Sequence, residues 1–203
     1  MTYLILTDNS PVSRIILLVT IVFSIISLRQ RRWYFKCIMH PYNVFRKHEY
    51  YRVLSCGLVH NDPVHLLING VMLFFIGGQL EQFLNVQSQY GGLLFLIIYL
   101  TSHISGVLPV MILNRNDAGY ATAGASGGIL GCMMSFMILA PKVTAFYLPV
   151  IGGIANQYAA LLLIIGLIVY KWRASNELLD NELHFYSALG GIITTLLLQW
   201  TVL

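Results

Sequence analysis

Apolar positions fall into six long blocks: Pro11 to Leu28, Val64 to Leu84, Gly91 to Leu113, Ser126 to Ala140, Gln157 to Tyr170 and Leu183 to Leu203. Charged residues sit in short clusters between them. Most blocks reach the length that crosses the hydrocarbon of a bilayer as a helix, about 20 residues. The pattern predicts an all-α, polytopic membrane protein, a single domain over residues 1–203 with short connections. The first block has no small-residue cleavage site behind it and runs into Arg29, Arg31 and Arg32, so it is expected to stay as the first span.

Composition agrees, with 57% of the 203 residues hydrophobic and 10% charged. A formal charge of +4, dispersed along the chain and without an aromatic-basic recognition surface, excludes nucleic acid as a partner. The three cysteines, Cys37, Cys56 and Cys132, lack CxxC or Cys/His zinc spacing and read as packing residues, with neither a disulfide framework nor a metal site.

Residues 29–60 form a long first loop. Trp33, Tyr34, Phe35, Tyr42, Phe45, Tyr50 and Tyr51 alternate there with Lys36, Arg46, Lys47 and Arg52, a blend suited to the lipid headgroups. The first, third and fifth loops carry ten of the twelve Lys and Arg, and the other side carries Arg14 and Lys142. By the positive-inside rule the odd-numbered loops face the cytoplasm.

Polar residues inside the blocks carry the candidate chemistry. Asp62-Pro63 is a helix cap followed by a first-turn proline. On the helix that starts there, His65 and Asn69 share a face four residues apart, with His60 just before it. Such residues either bond neighbouring membrane helices together or build a site. Zinc is disfavoured, since there is no HExxH and His60 and His65 do not share a helical face.

The fourth block, at 15 residues, makes only about 22 Å of helix against about 30 Å of hydrocarbon. Ser126, in Gly124-Ala125-Ser126-Gly127, therefore starts ~8 Å below the near surface if the far end reaches the opposite interface. Residues 114–123 must dip into the protein to deliver it, which implies a hydrated pocket. Gly127, Gly128 and Gly131 form a small-residue ridge beside the serine.

A serine needs a base. His184 falls in the first turns of the last block, after a cap at Asp180 or Asn181, above a face made by Ser187 and Gly191. His103, among Thr101, Ser102 and Ser105, is a rival base that reads as a buried packing histidine. The G-x-S-x-G pattern of Gly124 to Gly128 also occurs in soluble serine hydrolases, but there a strand must precede the serine, and Asn114 to Tyr120 reads as polar loop.

Taken together, His60, His65 and Asn69, then Gly77-Gly78-Gln79-Leu80-Glu81, the Gly-x-Ser-Gly of Gly124 to Gly127, Tyr51-Arg52 and His184 resemble the rhomboid family of intramembrane serine proteases in order and spacing. The resemblance covers nearly the whole chain. It implies a six-transmembrane-helix bundle that cleaves the transmembrane helices of other proteins with a Ser-His dyad and no cofactor. Ser126 would be the nucleophile and His184 the base and later the acid. The Ser126 N–H with the side chains of His65 and Asn69 would hold the oxyanion, with His60, Gly124 and Gly127 in support. The implied partners are transmembrane substrates and the lipid bilayer, and the implied location is the bacterial inner membrane.

Two departures accompany the resemblance. Leu130 stands where the family often has an aromatic residue that stacks on the histidine. An alternative register, aligning Leu189-Gly190-Gly191 with the frequent His-Leu-Gly-Gly, puts Ala188 at the catalytic position and makes the chain an inactive protein that binds helices without cutting them.

Overall fold

The structure is a computed structural model that describes residues 9–148, 150, 152–158, 161–162, 165 and 181–201. Most of the fifth block and Asp180 lie outside the described residues.

The first helix, α1 (Pro11–Arg29), is inside out by the standards of a soluble protein. Its buried residues are Ser13, Thr20, Ser24 and Ser27, while Ile15, Leu18, Phe23 and Ile26 are exposed. Against lipid, apolar side chains gain nothing by turning inward, and small polar ones allow close approach and hydrogen bonds between helices. Three short helices follow in the first loop, α2 (Arg31–Cys37), α3 (Pro41–Lys47) and α4 (Arg52–Ser55), then a 3₁₀ turn at Cys56–Leu58.

The second span runs as α5 (Pro63–Met72), a π-helical turn at Leu73–Gly77 and α6 (Gly78–Gln87). Asp62 caps it, its carboxylate accepting from the His65 N–H at 2.8 Å, with Pro63 in the first turn. Then come α7 (Gly91–Leu113), α8 (Ser126–Leu139), strands β1 (Thr144–Leu148) and β2 (Gly152–Ala155), and α9 (Asn181–Thr201). Residues Pro11–Arg29, Pro63–Gln87 and Gly91–Leu113 are long and apolar enough to cross a membrane.

The antiparallel β1–β2 hairpin is an element the hydropathy pattern did not indicate. Asn156 ties its base to the end of α8, donating from Nδ2 to the Ala140 carbonyl at 2.9 Å and from its backbone N–H to the Val143 carbonyl at 2.8 Å.

Helices α7, α8 and α9 form the centre, and they meet through small residues. A side chain on Gly191 would collide with the Gly131 backbone, one on Gly131 with Ser102, and one on Gly106 or Gly127 with Ser187. The Thr195 hydroxyl donates to Ser135 Oγ across α8 and α9 at 2.7 Å. In lipid such contacts supply the packing that the hydrophobic effect supplies in water.

At the end of the bundle away from Ser126, Glu81 is fully buried. It accepts from the N–H groups of Val12 at 2.9 Å and Ser13 at 2.7 Å. A carboxylate from α6 thus satisfies orphan donors at the start of α1, where the helix dipole favours negative charge. Ser10, at the cap position of α1, makes no side-chain cap bond, which leaves that work to Glu81.

Candidate active site

The segment before Ser126 is held by the first loop. Met39 and Thr122 exchange backbone hydrogen bonds of 2.9 and 3.1 Å, and the Gly124 N–H donates to the Cys56 carbonyl at 2.9 Å. The Ala125 N–H donates to Nε2 of fully buried His60 at 3.3 Å. That bond sets the histidine's tautomer. With Nε2 accepting, Nδ1 carries the hydrogen and donates to Ser24 Oγ at 2.9 Å, and the Ser24 hydroxyl in turn donates to the Leu58 carbonyl at 3.0 Å. His60 therefore links α1, the first loop and the start of α8. Burial, with His65 close by, pushes its pKa down to about 4, so the imidazole stays neutral.

Gly124 has φ +130°, a conformation open only to glycine. A Cβ there would stand 2.8 Å from His65 Cε1 and 3.0 Å from His65 Nε2. Two residues on, Ser126 takes the first position of α8, where the backbone N–H groups have no intrahelical partner and point out of the helix.

The Ser126 hydroxyl lies 2.7 Å from His184 Nε2. Gly127 allows this reach, since any side chain there would meet Ser187 Oγ at 2.7 Å and Leu183 Cδ2 at 3.1 Å and would push α9 off. Ala188, the alternative register's residue, lies one turn deeper, buried with Met134 and Met137, and Leu130 packs on that same cluster. The imidazole beside Ser126 is that of His184.

His65 Nδ1 is 2.7 Å from Asn61 Oδ1, and its ring sits edge-on to His60 with centroids 4.8 Å apart. With Asn61 Oδ1 accepting, the neutral ring presents a lone pair at Nε2. Half a turn of the Asn61 amide reverses the roles and leaves a hydrogen on Nε2. Asn69 is buried one turn along α5, one amide N–H donating to the His65 carbonyl at 2.9 Å and the second remaining available.

Ser126, His184, His65 and Gly124 share a cavity of about 1130 Å³ whose polar wall includes Asn61 and Glu182. His103 also lines it, but its Nε2 is spent on the Val53 carbonyl at 2.8 Å and its ring is wedged against Gly57. Among the described residues no group of three or more His, Cys, Asp or Glu comes together as a metal site. Thr122 forms only an isolated bridge with Met39, so no strand leads into the serine as a soluble hydrolase elbow requires.

Ser24 and Asn61 escaped the reading of the sequence. Ser24 had a signal, the repeated small polar positions of α1 at Ser13, Thr20, Ser24 and Ser27. Asn61 had none, because it neighbours His65 only once the cap turns the chain.

A family model for the rhomboid domain matches residues 47–203. The chain belongs to the rhomboid family. It is 30% identical to RHOMBOID-like protein 1 of Arabidopsis thaliana over 79% of this chain and 36% of that protein. It is 29% identical to Rhomboid protease GluP of Bacillus subtilis (strain 168) over 70% of this chain and 25% of that one. Inactive RHOMBOID-like protein 8 of Arabidopsis thaliana is 34% identical over 43% of this chain and 23% of its own length. This rhomboid chain thus spans well under half the length of those relatives. It is an integral membrane protein of rhomboid fold. Relatives from a plant and a bacterium alike do not single out the bacterial inner membrane expected from the sequence.

Proposed function

We propose that this rhomboid is an intramembrane serine endopeptidase whose substrates are the transmembrane helices of other proteins. The observation that carries the reading is the 2.7 Å contact between Ser126 Oγ and His184 Nε2 at a helix N-terminus inside a polar cavity. His184 Nε2 takes the hydroxyl proton as Oγ attacks the scissile carbonyl carbon. The carbonyl electrons move to oxygen, and the resulting oxyanion is held by the Ser126 N–H and the donors of His65 and Asn69. For His65 this requires the Asn61 amide to turn its NH₂ toward Nδ1, so that Nε2 carries a hydrogen. Collapse breaks the C–N bond, and His184 returns its proton to the leaving amine. Water, deprotonated by the same imidazole, then releases the acyl group from Ser126.

A second reading, a helix-binding rhomboid without activity, is favoured by the likeness to a relative named inactive. Reconstitution in liposomes with transmembrane substrates separates the two. Cleavage by the wild type that is lost in both Ser126→Ala and His184→Ala supports the protease. Residual cleavage at the wild-type rate in either variant refutes the dyad. A wild type inert to substrates and to a fluorophosphonate probe, yet retaining helices, supports the second reading.

A further inference from the structure

Arg29, Arg31, Arg32 and Lys36 fall within eight residues at the end of α1 and along α2, and all four are exposed. No acidic residue occurs between Arg14 and Glu49. Glu49 is itself taken by Arg52 at 2.7 Å. Among the described residues, none of the four cations has an ion-pair partner. Arg32 and Lys36 stand four apart on one helical face, a like-charge spacing that costs stability unless an anion lies over it.

Two of the three aromatic residues among these cations face outward too, Trp33 at 50% and Phe35 at 60% exposed, while Tyr34 between them is half-buried. They continue the lipid-facing surface of α1, where Phe23, Ile25 and Ile26 are exposed just before Arg29. This surface also adjoins the catalytic cavity. The Arg31 guanidinium lies 4.3 Å from the centroid of the Tyr34 ring, and its Nη1 donates to the Asn61 carbonyl at 3.1 Å. Tyr34 and Asn61 both line the cavity.

We propose that this surface binds the phosphate groups of anionic lipids, in the leaflet onto which the Ser126 cavity opens. Guanidinium groups match phosphate oxygens in charge and geometry, and exposed Trp and Phe at the same level belong among headgroups and acyl boundaries. An acidic protein segment would satisfy the cations but leave the aromatics in water, so lipid is the occupant. The inference stands independently of proteolysis.

The test uses the full chain with Trp172→Phe and Trp200→Phe, leaving Trp33 as the sole tryptophan of three. It is reconstituted in phosphatidylcholine vesicles containing equal mole fractions of phosphatidylglycerol, with bromine on either the phosphatidylcholine or the phosphatidylglycerol. Brominated phosphatidylglycerol should quench Trp33 more strongly, and the difference should shrink as salt rises from about 50 to about 500 mM. Each engaged cation is worth about fivefold in affinity for an anionic surface, so Arg31→Gln/Arg32→Gln/Lys36→Gln should bring the two quenching curves together. The triple Lys/Arg-conserving control, Arg31→Lys/Arg32→Lys/Lys36→Arg, should keep them apart, which separates charge from folding. Equal quenching in the wild-type background, or a preference that survives the triple Gln variant, overturns the proposal. So does displacement of the brominated phosphatidylglycerol effect by a soluble acidic peptide.

Discussion

Gly124→Ala tests the geometry behind the site most directly. At φ +130° an alanine enters a region that only glycine occupies freely, at a cost of about 1–3 kcal/mol. The new methyl would also stand 2.8 Å from His65 Cε1, and reaching an ordinary 3.4 Å contact needs a shift of about 0.6 Å. His65 has little room to give, because Asn61 holds Nδ1 at 2.7 Å and its own N–H is bonded to the Asp62 cap at 2.8 Å. Losing one oxyanion donor costs on the order of 10²–10³ in rate, so acylation should fall by about that factor while most of the protein stays folded. The assay is the rate of fluorophosphonate labelling of Ser126 in detergent, read beside thermal unfolding. Gly152→Ala is the control, since Gly152 has φ +91° with nothing within 4 Å of an added Cβ. It should show backbone strain without a change in labelling rate. A folded Gly124→Ala protein that labels at the wild-type rate would refute the placement of His65 in the reaction.

Three further outcomes are expected. His184→Ala should lower substrate cleavage by on the order of 10²–10⁴, and Ala188→His added to it should restore nothing, because that position faces Met134 and Met137 one turn below the serine. His60 has a pKa near 4 in the folded protein against about 6.5 unfolded, so between those values the unfolded chain binds more protons. Stability present above about pH 6.5 is then lost as pH falls toward 4, and His60→Gln should flatten that part of a Tm-against-pH curve. Glu81→Gln retains one acceptor for two N–H groups and should cost about 1–3 kcal/mol in denaturant unfolding, with Ser126 labelling per folded molecule unchanged.

Span positions were legible because hydropathy is a one-dimensional signal. The bundle begins α1 at Pro11, α7 at Gly91 and α8 at Ser126, where the apolar blocks begin. The second span starts at the Asp62-Pro63 cap, since capping is local. The β1–β2 hairpin was not legible, because a short strand pair between membrane helices carries too few residues for its alternation to stand out from the apolar background. The π-helical turn at Leu73–Gly77 was hidden too, since the same apolar residues suit either winding.

By itself the sequence determined that this chain lives in a membrane, where the apolar helices α1, α5–α6, α7 and α8 lie along it, and which few polar residues lipid would not tolerate without a purpose. It also supplied the order and spacing that mark a rhomboid. It left His184 and Ala188 as rival partners for Ser126, because helical periodicity places both on α9 and says nothing of how deep α9 sits beside α8. Only tertiary packing decides that depth. The close passage of Gly127 against Ser187, and of Gly131 against Gly191, sets the level at which the two helices cross, and that level puts His184 Nε2 2.7 Å from the serine.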